Sequence, residues 1–312
     1  MTALLHQLSL SAPLFLLVLV GYGLSRFAGW PKDVGDALSR FVFGAALPAM
    51  LFHLMSGVSK LPPVDARLLI AFFGGCLAVF VIGRLVAWKA FGLDGVAQSV
   101  FALGGVFSNN VLLGLPIARL TLGEAAVPSV ALVLVFNSLT LWTLVTVSVE
   151  WARHGEFSLQ GFARTARGVL RNPIVAAILS GTAFGFTGLA LPAFLDSTLG
   201  MVSDTAAPLA LIALGMGLAQ YRLREGVAMA GAISTLKLVV QPLVVWGLAL
   251  ALGLPPLETQ VVVLLASIAV GVNVYLMANQ FGTLQGPVAG SLLLSTAFSA
   301  LTTPMLMALT SG

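Results

Sequence analysis

What most constrains this chain is a series of uninterrupted apolar blocks, near 8–28, 36–57, 66–90, 97–119, 124–150, 169–188, 199–219, 227–252, 257–280 and 286–310. Each runs to roughly 20 residues or more, which at 1.5 Å per residue crosses a hydrocarbon core of about 30 Å. The sequence therefore predicts an all-α polytopic membrane protein of ten transmembrane helices. Charge agrees, since 15 Lys and Arg and 11 Asp and Glu make up 8% of 312 residues, against about 25% in soluble domains. Such a chain cannot cover a water-facing surface. Its pI near 9.6 needs no nucleic-acid partner, because the cations mostly sit between the apolar blocks. The single cysteine, Cys76, lies inside a block and supports no disulfide framework. Residues 1–7 carry no Lys or Arg, so the first block reads as a span rather than a cleaved leader.

Connections are short, the longest running from about Glu150 to Leu170, which leaves no room for a second soluble domain. With the N-terminus outside, the cytoplasmic side receives Arg26, Lys32, Arg40, Arg84, Lys89, Arg153, Arg164, Arg167, Arg171, Arg222 and Arg224. The outer side receives Lys60, Arg67 and Arg119. That bias places both termini outside. Lys237 belongs to neither side.

An offset of 160 residues aligns Pro13 with Pro173, Gly21 with Gly181, Ala46 with Ala206, Pro48 with Pro208, Leu54 with Leu214 and Gly57 with Gly217. It lays spans 1–5 on spans 6–10. Five is odd, so the second half enters the membrane from the opposite side. The expectation is two inverted five-helix repeats, 1–160 and 161–312, a plan used by carriers with alternating access.

Such carriers bind substrate where corresponding helices of the two halves are interrupted. Span 4 reads Gly104-Gly105-Val106-Phe107-Ser108-Asn109-Asn110-Val111-Leu112-Leu113-Gly114-Leu115-Pro116. Paired asparagines bracketed by glycines and closed by proline suit unwound backbone against protein or a wet cavity. Span 9 offers Ser267, Gly271 and Asn273 at its middle, without a proline. The plainer reading of both is small-residue packing and interhelical hydrogen bonding.

Lys237 lies roughly 10 residues, or about 15 Å, from the end of its span. A cation at that depth costs about 2.5–3.5 kcal/mol on insertion scales, so a functional reading leads, with an uncharged buried amine as the plainer one. The acids lie in loops or near span ends, except Asp204, about one turn into span 7. Thr121-x-x-Glu124 has the form of a capping box. No deep carboxylate offers a proton relay or strong sodium site, which leaves His53 and Asp204 as the candidates for ion coupling. The chain lacks His-Glu-x-x-His, paired deep aspartates and phosphate-cradling loops, so no enzyme, no metal and no cofactor is expected.

At these positions the chain resembles the auxin efflux carrier family. Ser108-Asn109-Asn110-Val111-Leu112-Leu113-Gly114-Leu115-Pro116 is similar to that family's Gly-Asn-Thr-Gly-Phe-x-Gly-x-Pro segment. Asn172-Pro173-Ile174, Ala207-Pro208-Leu209 through Gly215-Met216, Lys237 followed by Gln241-Pro242-Leu243, and Val272-Asn273-Val274-Tyr275 fit as well. The resemblance implies a transport domain of spans 3–5 and 8–10, with helices 4 and 9 crossing, and a dimerising scaffold of spans 1, 2, 6 and 7. It implies a small organic anion as partner beside the lipid bilayer, and for a bacterial member the inner membrane. Span 9 lacks the plant proteins' proline, which predicts a milder break. Span 3 lacks the acid that faces the lysine in those proteins.

On this reading Ser108, Asn109, Asn110, Asn137, Asn273 and Lys237 bind substrate, while Gly105, Gly114, Pro116 and Gly271 form the crossover and hinges. The expected activity is secondary transport of small carboxylates by elevator-like alternating access, as efflux or uniport. A sodium- or proton-coupled symporter, like the bile-acid symporters that share the inverted-repeat plan, and an anion channel remain the alternatives.

Overall fold

The computed structural model describes residues 2–57, 59, 64–154, 173–221 and 226–310. The cations Lys60, Arg164, Arg167, Arg171, Arg222 and Arg224 lie outside the described residues, as do Glu156, Glu225, Asn172 and most of the connection expected between Glu150 and Leu170.

Backbone groups in hydrocarbon have no water to bond, so long apolar sequence closes its hydrogen bonds within helices. The first six are α1 (Thr2–Arg26), α2 (Lys32–Ser56), α3 (Arg67–Phe91), α4 (Gly95–Gly104), α5 (Asn110–Leu122) and α6 (Val127–His154). There follow α7 (Pro173–Phe186), α8 (Ala193–Leu218), α9 (Val227–Ala251), α10 (Pro256–Ser267), α11 (Val272–Phe281) and α12 (Gln285–Thr310). Seven of these segments, in α1, α2, α3, α6, α8, α9 and α12, are long and apolar enough to cross a bilayer. The fourth and ninth sequence blocks are each split into two short helices, α4 with α5 and α10 with α11. Chain breaks are chemically marked. Gly92, at φ 61°, closes α3, and the Asp94 carboxylate accepts from the Val96 and Ala97 N–H groups, both at 2.9 Å, to cap α4.

Three helices widen into a π turn: α2 at Val42–Ala46, α5 at Asn110–Gly114 and α9 at Leu236–Val240. Each turn ends two residues before a proline, namely Pro48, Pro116 and Pro242. Proline has no N–H to give the carbonyl one turn earlier, and the preceding backbone relaxes into the wider spacing.

Glycines let certain helices meet backbone to backbone. A Cβ on Gly21 of α1 would overlap the Ile212 carbonyl of α8, and one on Gly181 of α7 would lie 2.7 Å from the Phe52 carbonyl of α2. Small residues at such crossings are how helices associate without a hydrophobic drive. The two contacts are counterparts: Gly21 and Gly181 are 160 residues apart, and so are Phe52 and Ile212. Helices α1, α2, α7 and α8 pack together on this side. On the other, α9 packs on α3 and α10, α4 on α3 and α6, and α12 on α9, α10 and α11.

Two local expectations are corrected. Thr121 is not an N-cap: it sits in the last turn of α5, its hydroxyl donates to the Ile117 carbonyl at 2.8 Å, and Glu124 instead accepts from Arg119 at 2.7 Å. Gly123 at φ 81° ends that helix before a new one begins. Asp204 lies deeper than one turn, because α8 starts at Ala193, about three turns earlier.

Candidate functional site

The two interrupted blocks meet at their breaks. Between α4 and α5 the chain passes Val106 to Asn109, and between α10 and α11 it passes Ile268 to Gly271, extended at Ile268 (ψ 150°) and Gly271 (ψ 142°). The segments run antiparallel and exchange two hydrogen bonds. Asn109 N–H donates to the Ala269 carbonyl at 2.9 Å, Gly271 N–H donates to the Phe107 carbonyl at 2.7 Å, and Ser108 stands opposite Val270. Unwound backbone at this depth has to be satisfied within the protein. Ser295 completes the set, its hydroxyl oxygen accepting from the Val270 N–H at 3.0 Å. Gly271 is needed for the close approach: a Cβ there would lie 2.9 Å from Phe107 Cδ1 and 3.0 Å from the Ser108 carbonyl oxygen. The span-9 break is complete without a proline, because this ladder replaces the helical bonds that were lost.

Four helix ends converge here with opposite polarity. The C-terminal ends of α4 and α10 carry the negative end of their dipoles and unpaired carbonyls. Both are met from α9. Lys237 Nζ donates to the Ala266 carbonyl of α10, and Gln241, one turn on, donates from Nε2 to the Val106 carbonyl at 2.9 Å and to Cys76 Sγ at 3.3 Å. Thr303 of α12 donates to the Ser267 carbonyl at 3.0 Å. Lys237 and Gln241 are both fully buried. The π turn of α9 contains Lys237 and ends just before Gln241.

The N-terminal ends, α5 at Asn110 and α11 at Val272, face a cavity of about 460 Å³. Its lining includes Ser108, Asn109, Asn110, Asn137, Gly271 and Asn273, together with Asp36, Ser39 and Tyr221. Among the described residues, Ser108 Oγ, Asn109 Nδ2, both side-chain polar atoms of Asn110 and Asn137 Oδ1 are buried without a hydrogen-bond partner. An unpaired buried polar atom costs about 1–3 kcal/mol, and native interiors hold few of them. Here they cluster on one cavity. Two amide groups and a hydroxyl can donate, two carbonyl oxygens can accept, and the positive ends of two half-helices favour negative charge.

Five of the six residues expected to bind substrate thus share this cavity; the sixth, Lys237, lies behind the crossing and outside the lining. Of the expected hinges, Gly105 closes α4, Gly114 ends the π turn of α5, Pro116 follows it, and Gly271 caps α11. His53 and Asp204 are elsewhere. His53 Nε2 pairs with the exposed Asp196 at 2.9 Å, and Asp204 is exposed on α8.

Asp36, Ser39 and Tyr221 escaped sequence reading because each sits near a span end, where polar residues are ordinary. Tyr221 stacks edge-on against Tyr275 of α11, ring centroids 4.7 Å apart, at the cavity margin. Burial pushes its phenol up to about 12, so it stays a neutral hydroxyl. Gln241 had a readable signal: it is four residues from Lys237, on the same helix face.

Broken helices crossing at depth, half-helix N-termini turned toward a polar cavity, and seven long apolar helices define a membrane transporter. The chain belongs to the membrane transport protein family, the auxin efflux carrier-like transporters, whose family model matches residues 8–307. It is similar to the protein of Rhizobium meliloti (strain 1021) described as "Putative malonate transporter", with 30% identity over 96% of this chain and 95% of that one. An "Uncharacterized transporter" of Methanothermobacter thermautotrophicus is 26% identical over 93% of both chains. "Auxin efflux carrier component 2" of Arabidopsis thaliana is 22% identical over 55% of this chain and 27% of its own length. The chain is a transporter, not an enzyme.

Proposed function

We propose that this protein is a secondary transporter of small organic anions, carboxylates such as malonate, malate or an auxin-like indole acid. The observation that carries the reading is the cluster of unpartnered amide and hydroxyl atoms of Ser108, Asn109, Asn110 and Asn137 in a cavity faced by two half-helix N-termini. A carboxylate bound there takes hydrogen bonds from Asn109, Asn110 and Asn273. Lys237 contributes positive charge from behind the crossing rather than by contact.

On this reading the chain crosses the membrane ten times as two inverted repeats, 1–160 and 161–312, with both termini outside a bacterial inner membrane. The counterpart contacts Gly21 with Ile212 and Gly181 with Phe52, and the mutual bonds across Ser108 and Val270, support the repeat. Helices α1, α2, α7 and α8 form a scaffold through which two copies pair, and the remaining helices move past it carrying the crossing in elevator fashion. Cross-linking of the intact protein in membranes tests the pairing.

An inside-negative potential favours anion exit by about 2.3 kcal/mol per charge per 100 mV, so the mode proposed is potential-driven efflux. Counterflow in proteoliposomes tests the carrier. Labelled malonate or indole-3-acetate entry should saturate and rise when unlabelled substrate is trapped inside. Entry that grows linearly with concentration and ignores trapped substrate would identify a channel.

A further inference from the structure

The exposed side of α3 carries a groove separate from the crossing. Ile70, Leu77, Val81, Leu85 and Trp88 are exposed along it at helical spacing. Within this stripe a groove of about 510 Å³ is lined by Val81, Arg84, Leu85, Trp88 and Gln98. Arg84 is oriented by three bonds: Nη1 donates to the hydroxyls of Ser99, at 3.1 Å, and Ser148, and Nη2 donates to Gln98 Oε1 at 3.2 Å. A guanidinium has five N–H groups. Nε makes none of these bonds, and its N–H lies on the guanidinium edge shared with Nη2, the fork that takes a phosphate or carboxylate through paired bonds. Among the described residues no carboxylate lies within ion-pair distance of Arg84. Among the described residues its charge is met by neutral oxygens.

Position narrows the ligand. Arg84 is seven residues, about 10 Å, from the end of α3 at Phe91. Trp88 and Lys89 are exposed beside it, and Trp and basic residues anchor helices at the polar boundary of a bilayer. The groove therefore joins a fixed cationic fork, at roughly headgroup depth, to apolar walls that continue toward the bilayer interior.

We propose that this groove binds one anionic phospholipid, its phosphate on the free Nε/Nη2 edge of Arg84 and an acyl chain along Val81 and Leu77. The apolar walls favour a phosphate that carries acyl chains over free inorganic phosphate. Because Arg84 also ties α3 to Ser99 of α4 and Ser148 of α6, the bound lipid braces that three-helix contact.

The test uses the full-length protein, delipidated in neutral detergent and supplied with phosphatidylglycerol, phosphatidylcholine or inorganic phosphate. Native mass spectrometry reads retained lipid, and a melting scan reads stability. Phosphatidylglycerol should be retained at one molecule per chain in preference to phosphatidylcholine and should raise the melting midpoint, while inorganic phosphate does neither. Val81→Trp fills the groove without touching the Arg84 bonds and should abolish both effects, as should Arg84→Gln. Equal retention of the two lipids, retention unchanged in Val81→Trp, or stabilisation by inorganic phosphate alone would overturn the proposal.

Discussion

Lys237 donates to the Ala266 carbonyl, so a fully buried amine of α9 caps the C-terminal end of a half-helix instead of lining the cavity. One turn along α9, Gln241 does the same for Val106 beyond the end of α4. A single helix thus holds both incoming halves of the crossing from behind, and the outgoing N-termini face the cavity.

Lys237→Ala leaves the Ala266 carbonyl without its partner, an unsatisfied group worth about 1–3 kcal/mol. The variant should reach the membrane, melt at a lower temperature and transport at least roughly tenfold more slowly, the equivalent of ~1.4 kcal/mol. Melting scans with flux assays check this. Full flux in Lys237→Ala would remove the cap from the account.

Asn110 offers the cavity both a donor and an acceptor, unpaired among the described residues. Asn110→Leu removes both while keeping the branching and heavy-atom count of the side chain, and hydrogen bonds to a charged partner contribute about 1.5–3 kcal/mol. Affinity for a carboxylate should fall roughly 10- to 100-fold, with stability unchanged or raised because buried orphans disappear. Ligand-dependent shifts in melting temperature measure both quantities on one sample.

The close approach at the crossing gives a steric prediction. Gly271→Val would press into Phe107 and the Ser108 carbonyl, costing about 1–3 kcal/mol as overpacking and disturbing the two exchanged hydrogen bonds. Gly247 of α9 has open space where its Cβ would be, so Gly247→Ala should be neutral or stabilising by about 0.5–1 kcal/mol. Equal melting temperatures for the two variants would contradict the packing described.

Much of this was legible in the sequence, for identifiable reasons. Apolar block length announces a span, and Asn109-Asn110 between glycines announces a break, because neither suits a continuous lipid-facing helix. The break in span 9 is fuller than its sequence predicts, because with no proline its cause is the tertiary ladder to Phe107 and Asn109, which no local pattern encodes. Its place far inside an apolar block marks Lys237 as special, yet that place does not distinguish a cavity wall from the carbonyl behind it. Thr121 and Glu124 had the spacing of a cap, but the helix end at Gly123 put them on opposite sides of a turn.

His53 pairs with Asp196 and Asp204 is exposed on α8, both away from the cavity. His53→Gln and Asp204→Asn should therefore retain flux within about twofold of the parent, well under the tenfold that 1.4 kcal/mol represents, with unaltered response to pH and sodium. Loss of a gradient response in either variant would assign it to ion coupling.

The most direct test of the central claim is the flux of labelled malonate and indole-3-acetate in proteoliposomes, with potential, proton and sodium gradients imposed singly, for the parent and Asn110→Leu. Saturable flux of at least one of these carboxylates should follow potential alone, and at sub-saturating substrate it should fall roughly tenfold or more in the variant. Flux that requires sodium or protons, or an Asn110→Leu variant with the parent's affinity and flux, would contradict this reading.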